Sequence, residues 1–167
     1  NSITLQEILP TNNGWDKRRS VIDPLPVNTY KQLMQKYDQD MTSLGIVRPK
    51  RILDLAISNA DAEWKPAQEA ALNQLLLFGE RKALRKIPYK FQYIFECEDS
   101  NGRPHKASLT DWEAGVLWLR ETERLGDAKA AAESVRKKFL YEICNGSRDT
   151  RFFMGTVLPY NTWLVLG

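Results

Sequence analysis

The pattern of apolar and polar positions along this chain of 167 residues changes period several times. Apolar residues three and four positions apart, bounded by capping residues and glycines, predict helices at residues 26–41, 61–79, 109–126 and 127–146. Alternating or β-rich runs predict strands at residues 2–9, after Pro49, at 89–97, from His105 onwards, and in a hairpin at 151–167. The order of elements predicts an α+β fold with a mainly antiparallel sheet and helices packed on one side.

The clearest predicted strand is aromatic. Tyr89, Phe91, Tyr93, Phe95 and Cys97 occupy every second position and therefore share one face. A free cysteine among aromatic side chains usually behaves as a small buried hydrophobe, so we expect Cys97 to be buried without a metal ligand role. The pair Asn101–Gly102 suits the positive φ angles of a tight turn, after which His105 begins the returning strand.

Several local expectations follow for the helices and the turns between them. Asn28 or Thr29 is expected to cap the first helix, and Gly45 to form a turn after it. In the third helix, Thr110 or Asp111 is the expected cap, and the residues expected on one buried stripe are Trp112, Val116 and Leu119. In the fourth helix, Asp127 is the expected cap, and the residues expected to face inward are Ala131, Val135, Phe139 and Ile143.

Length and composition indicate one domain, residues 1–167, with its own core. The chain begins with Asn1 and ends on an apolar run, so we expect a fragment that lacks an N-terminal segment. Hydrophobic residues make up 43% and charged residues 27%, and no apolar run is long enough to cross a membrane. The two cysteines form no disulfide framework, which favours a soluble protein of a reducing cytoplasm.

Candidate chemistry is concentrated between Cys97 and Glu113. Asp99, Asp111 and Glu113 could hold a magnesium ion, and His105 could act as a base, as in metal-dependent phosphodiesterases. Asp111 and Glu113 also have a structural reason to stand at a helix start, where the helix dipole favours acidic side chains. Two cysteines and one histidine are too few for a closed four-ligand zinc site. We therefore expect no metal and no cofactor, and treat these residues as weak catalytic candidates.

Basic residues occur in groups although the formal net charge is only +3. Such groups can follow the phosphates of a nucleic acid, or can simply keep a surface solvated. We expect an accessory or interaction module that contacts nucleic acid or a partner protein, with the metal-dependent phosphodiesterase as the alternative and enzymatic activity left open. The candidate nucleic-acid-binding residues are Arg18, Arg48, Lys50, Arg51, Arg81, Lys82, Arg85 and Lys86.

Segments over most of the chain resemble an uncharacterised bacterial family whose members are longer at the N-terminus. The segments are PTNNGWDKRR, SLGIVRPKRI, KIPYKFQYIFECED, DWEAGVLW, FFMGTV and TWLVLG. The resemblance implies a Cys/His-containing hairpin followed by Asp-Trp-Glu, which Cys97, His105 and Asp111 match. Relatives often carry a second cysteine in this hairpin, whereas this chain has Ser100, Asn101 and Gly102 there. It also lacks the family's N-terminal segment with a Cys-Lys-Thr-Tyr-Pro type motif. The resemblance therefore implies no particular activity.

Overall fold

The computed structural model describes residues 5–9, 18–21, 26–66, 86–157 and 162–167, with the backbone alone for 5–9, 18–21 and Val157. The strands are β1 (Leu5–Leu9), β2 (Arg18–Val21), β3 (Val27–Asn28), β4 (Leu44–Val47), β5 (Arg51–Asn59), β6 (Tyr89–Glu96), β7 (His105–Leu109), β8 (Phe152–Val157) and β9 (Thr162–Val165). The helices are α1 (Tyr30–Asp40), α2 (Trp112–Leu125) and α3 (Ala128–Lys137), the last continued by a π-helical turn, Lys138–Ile143.

Seven strands form one sheet in the order β3-β4-β8-β9-β7-β6-β5, and β1 pairs with β2 separately. Four neighbouring pairs of the large sheet are antiparallel, and β3–β4 and β7–β9 are parallel. The predicted α+β fold with a mostly antiparallel sheet is confirmed. That the helices pack on one side stays a prediction. Most of the helix predicted at 61–79 lies outside the described residues.

The aromatic strand β6 lies between β5 and β7 and supplies much of the core. Phe91, Tyr93 and Phe95 are buried at every second position, as predicted. The ring of Phe152 from β8 packs against Tyr93 and Phe95, with centroid distances of 4.7 and 5.2 Å. The strand therefore joins both halves of the sheet through one aromatic cluster.

The hairpin between β6 and β7 has the predicted turn, since φ is 51° at Asn101 and 73° at Gly102. Pairing of the two strands is antiparallel and places Phe95 opposite His105. Cys97 directly follows β6 and lies two residues beyond the Phe95–His105 pair. The turn thus brings both ends of the hairpin loop together.

Helix α1 begins at a capping box, in which the Thr29 side chain accepts from Gln32 N and Gln32 Oε1 accepts from Thr29 N. The prediction that Gly45 forms a turn is wrong, because Gly45 lies inside β4. A Cβ atom at this position would lie 2.5 Å from Cδ1 of the fully buried Leu33. A side chain at this position would therefore force the buried Leu33 side chain to move.

Helix α2 is capped by Asp111, whose carboxylate accepts from Glu113 N at 2.9 Å, as predicted. The helix ends at Gly126, which has a positive φ of 68°. The prediction of a buried Trp112 is wrong, since 69% of its surface is exposed. Ala114 and Trp118 face the core instead, so the buried stripe is displaced from the predicted one.

Helix α3 starts at Asp127, as predicted, and buries Ala131 and Val135. The prediction that Ile143 faces inward is wrong, because the chain winds as a π-helix from Lys138 onwards. A π-helical turn contains more residues than an α-helical one and rotates the following side chains away from the α-helical register. Phe139 therefore remains buried while Ile143 is exposed.

The C-terminal hairpin of β8 and β9 is antiparallel, with Met154 opposite Val165, as predicted. Its contact with the aromatic half of the sheet is through the parallel pair β7–β9 rather than through an antiparallel neighbour. None of the helices in the described ranges combines the length and the apolar character that crossing a membrane requires.

Candidate functional site

Three side chains with metal-binding or catalytic chemistry meet at the β6–β7 hairpin. Ligand atoms of Cys97, Asp99 and His105 all lie within 4.8 Å of one another. Cys97 directly follows β6, Asp99 lies in the loop, and His105 opens β7. The antiparallel register of the two strands therefore brings the three together. We call Cys97, Asp99 and His105 the hairpin cluster.

Ser100 organises the loop beneath the hairpin cluster. Its hydroxyl accepts from Cys97 N at 2.7 Å and lies 2.9 Å from His105 Nε2. The backbone N–H of Ser100 in turn donates to Cys97 O at 3.1 Å. If the hydroxyl oxygen accepts from Nε2–H, the tautomer leaves a free lone pair on His105 Nδ1, as in histidines held by a second partner.

The start of α1 lies against the same hairpin. Tyr30 N donates to Cys97 Sγ at 3.4 Å, and the Tyr30 ring lies over the His105 ring with centroids 4.6 Å apart. The Thr29 hydroxyl donates to Asp99 Oδ2, and Lys31 Nζ donates to the Asp99 backbone oxygen at 2.5 Å. The first turn of a helix carries partial positive charge, so it suits an electron-rich sulfur and a carboxylate.

Burial governs the protonation of the hairpin cluster. It raises the pKa of Cys97, and the nearby charge of Asp99 raises it further, while the N–H of Tyr30 acts in the opposite direction. Burial also lowers the pKa of His105, against the charge of Asp99. Both groups are therefore neutral at neutral pH. A cysteine nucleophile requires a lowered pKa, so this geometry does not support thiol catalysis.

One oxygen of the hairpin cluster has an unusual environment. Among the described residues, Asp99 Oδ1 is buried and has no hydrogen-bond partner. The other carboxylate oxygen is occupied by the Thr29 hydroxyl. Unpaired buried oxygens of this kind are rare in folded proteins, because desolvation is not compensated. Asp99 is therefore held in a position where a cation could be its missing partner.

The four predicted catalytic candidates do not form one site. β7 alone spans roughly 13 Å from His105 to Leu109 at about 3.3 Å per residue, and Asp111 lies two residues beyond its end. Asp111 caps α2, and Glu113 is exposed in its first turn. The carboxylate cluster of Asp99, Asp111 and Glu113 that a magnesium site would need is therefore not formed. Only Asp99 and His105 meet.

Sequence reasoning treated Cys97 as core and did not join it to a site. The confirmed part is its burial, with 2% of its surface exposed. The prediction missed that the polar side chains of Asp99 and His105 come close to Cys97 at the end of β6. The available signal was the position of Cys97 and His105 on either side of one tight turn.

A basic crevice lies next to the hairpin. It has a volume of about 560 Å³ and is formed by residues 48–52, Glu98 and the segment 144–150. Four cationic side chains and two acidic ones line it, so its lining is net positive. These are Arg48, Lys50, Arg51 and Arg148, with Glu98 and Asp149. A second crevice of about 480 Å³ shares Lys50, Arg51 and Glu98 and reaches Cys97 and Ser100.

Three of these cations have acidic partners. Arg48 Nε lies 2.9 Å from Asp149 Oδ1, and Lys50 Nζ lies 3.1 Å from Glu98 Oε2. Arg51 pairs with Glu96 at 2.9 Å. The cationic side chains of these pairs are 57 to 66% exposed, so solvent screens each pair and its contribution to stability is small.

The remaining predicted basic residues do not add to the basic crevice as the structure describes it. Lys86 donates to the backbone oxygen of Glu63 and lies 5.3 Å from the centre of the Trp64 ring. Arg18 lies in β2, where the backbone alone is described. Arg81, Lys82 and Arg85 lie outside the described residues.

Comparison with known proteins places this chain in a family. The family model described as domain of unknown function DUF8757 matches residues 26–167, so the chain belongs to that family. No curated protein and no solved structure gives a significant match. The family match agrees with the resemblance to an uncharacterised family and adds no activity.

Proposed function

We propose that this member of the DUF8757 family binds phosphate groups of a nucleic acid in the basic crevice. One observation carries the proposal: two segments far apart in the chain place cationic side chains around the same space. Arg48 and Lys50 come from the connection between β4 and β5, Arg51 opens β5, and Arg148 comes from the turn before β8. Convergence of cations from separate elements is typical of an anion site rather than of a solvated run.

The backbone that carries these cations is fixed by hydrogen bonds to the sheet. Arg48 N donates to Asn28 O at 3.1 Å, and Lys50 N donates to Glu96 O at 2.7 Å. Arg148 N donates to Asn145 O at 3.0 Å within its turn. Because the backbone is already ordered, a ligand has to immobilise only the side chains, which lowers the entropy cost of binding.

The ion pairs of the crevice are compatible with phosphate binding. Exposed pairs contribute roughly 0 to 1 kcal/mol each, so a phosphate can replace a carboxylate partner at little cost. Glu98 and Asp149 would then oppose tight binding by their own negative charge. We therefore expect modest affinity with a steep dependence on salt concentration.

The residues that line the crevice also indicate which part of a nucleic acid it would recognise. Among the described lining residues there is no aromatic side chain on which a base could stack. Recognition would rest on backbone phosphates, which position a nucleic acid without reading its sequence. We expect nearly equal affinity for oligonucleotides of different sequence.

The test is fluorescence anisotropy with labelled single-stranded and duplex oligonucleotides at several salt concentrations. The test variant changes Arg48, Lys50, Arg51 and Arg148 to glutamine. We expect weaker binding to all sequences and a slope of log affinity against log salt that is flatter by up to about four, roughly one per lost phosphate contact.

A matched control changes four exposed cations of α2 and α3 to glutamine, which alters net charge equally. These are Arg120, Arg124, Lys129 and Lys137. A third variant changes Arg81, Lys82, Arg85 and Lys86, which the sequence predicts as nucleic-acid-binding residues. If the crevice variant and the helix control lose affinity equally, the site proposal is wrong. If no oligonucleotide binds the unmodified chain, nucleic-acid binding is wrong and an acidic protein becomes the expected partner of the crevice.

A further inference from the structure

We propose that the hairpin cluster binds one divalent transition metal ion, with Zn²⁺ as the expected ion. The inference rests on Cys97, Asp99 and His105 and does not depend on nucleic-acid binding. A thiolate, an imidazole and a carboxylate are the three ligand types that zinc takes from proteins. Mixed sulfur and nitrogen ligands select zinc and its neighbours over magnesium and calcium, which prefer oxygen alone.

The spacing of the ligand atoms fits a site that closes on its ion. The three atoms lie within 4.8 Å of one another. Zinc bonds of about 2.0 to 2.3 Å in a tetrahedral arrangement place two ligand atoms about 3.5 Å apart. The ligand atoms therefore need to approach by about 1.3 Å at most to reach that separation.

Asp99 gives the most specific support. Its Oδ2 is held by the Thr29 hydroxyl, and its buried Oδ1 has no hydrogen-bond partner among the described residues. In a loop that binds no ligand, a carboxylate oxygen such as Asp99 Oδ1 is usually exposed to water or accepts a hydrogen bond. A metal ion at the hairpin cluster would supply the absent partner.

The surrounding groups hold the ligands as outer partners do in metal sites. Ser100 Oγ lies 2.9 Å from His105 Nε2 and can fix the tautomer and the orientation of the ring. The Tyr30 ring lies over the imidazole and limits its tilt. Thr29 orients the carboxylate through Oδ2. His105 and Asp99 are thus each positioned by residues outside the cluster.

A three-ligand site differs from a closed four-ligand zinc site, for which the two cysteines and one histidine of the sequence are too few. Within the described part of the chain the hairpin cluster has three members, so the fourth position is open to water or to an anionic group. Three protein ligands with one exchangeable position are typical of zinc that binds a small molecule rather than of purely structural zinc. The neighbouring crevice, which is lined by Cys97 and Ser100, would give a small molecule access to that position.

The experiment uses the purified 167-residue chain, with Zn²⁺ or Co²⁺ alone as the probe. After metal loading and dialysis, elemental analysis should give one zinc per chain. The cobalt form should show the thiolate-to-cobalt charge-transfer band and the strong visible bands of a four-coordinate ion. Asp99→Asn and His105→Gln should each weaken binding by at least about tenfold, the smallest loss seen when outer partners of metal sites are changed. Cys97→Ser should abolish the charge-transfer band.

The chain supplies matched controls. Cys144→Ser changes the other cysteine, and Glu113→Gln changes a carboxylate predicted from the sequence as a ligand; both should keep one zinc per chain. Because Cys97 is buried, the Cys97→Ser result is interpreted only if circular dichroism shows a native fold. If that variant does not fold, the zinc affinities of Asp99→Asn and His105→Gln test the proposal. Substoichiometric zinc in the unmodified chain overturns the proposal. Affinity unchanged in both of those variants, or a charge-transfer band lost in Cys144→Ser, overturns it as well.

Discussion

Tyr30 donates its backbone N–H to the sulfur of Cys97 at 3.4 Å, although 67 residues separate them. The residue before Tyr30, the helix cap Thr29, contacts the carboxylate of Asp99 in the same loop. The start of α1 is therefore joined to the β6–β7 hairpin by two adjacent residues. This contact makes the helix cap part of the candidate site and links the order of the loop to the stability of the helix.

Thr29→Ala should destabilise the fold by about 2 kcal/mol, since the change removes a helix cap and leaves both carboxylate oxygens of Asp99 without a partner. Thr29→Ser keeps a hydroxyl at the same place and should stay close to the unmodified chain. The free energy of unfolding from urea denaturation measures both. Equal losses in the two variants would contradict the role of the hydroxyl.

Gly45→Ala should cost about 1 to 3 kcal/mol, because the new methyl group would meet Cδ1 of Leu33 in a fully packed region. Leu33→Val shortens that side chain, so the double variant should be less destabilised than the sum of the single ones. Gly146→Ala is the matched control, since nothing lies within 4 Å of the added Cβ. Additive losses from urea denaturation would show that the two residues do not conflict.

Local features of this fold were predictable because they depend on neighbouring residues. The two-residue period of β6, the Asn101–Gly102 turn and the Asp111 cap each follow from short-range chemistry. Gly45 was misread because a glycine chosen for close packing looks the same in sequence as one chosen for a turn. The π-helical turn after α3 was missed for a similar reason, since its residues also fit an α-helical period.

The candidate site depends on contacts between residues far apart in the sequence, which the spacing of apolar residues does not reveal. Cys97 and His105 meet because β6 and β7 pair in one particular register, and Asp99 is held by a helix cap from much earlier in the chain. The same limit applies to the basic crevice, where Arg148 reaches the Arg48 segment only through the order of the sheet strands. Sequence indicated which side chains carry chemistry, and long-range packing decided which of them meet.

Stability at alkaline pH should depend on Tyr93. Burial raises the pKa of Tyr93 above its ordinary value of 10.0, and its hydroxyl lies 3.4 Å from Cys144 Sγ. In the unfolded chain the hydroxyl ionises near the ordinary value, whereas in the folded chain it stays protonated. The stabilisation is therefore fully present below about pH 10 and is lost as the pH rises above it. The expected loss is up to about 1.4 kcal/mol per pH unit.

Urea denaturation from about pH 8 to about pH 11 measures this effect. Tyr93→Phe removes the ionisable group and should flatten the alkaline decline of the free energy of unfolding. Tyr141→Phe is the matched control, because Tyr141 is 67% exposed and its removal should leave the decline unchanged. The burial of Cys144 raises its pKa too, which gives a decline of the same sign that both variants retain. An equally steep decline in Tyr93→Phe and in the unmodified chain would show that the Tyr93 hydroxyl does not resist ionisation in the folded state.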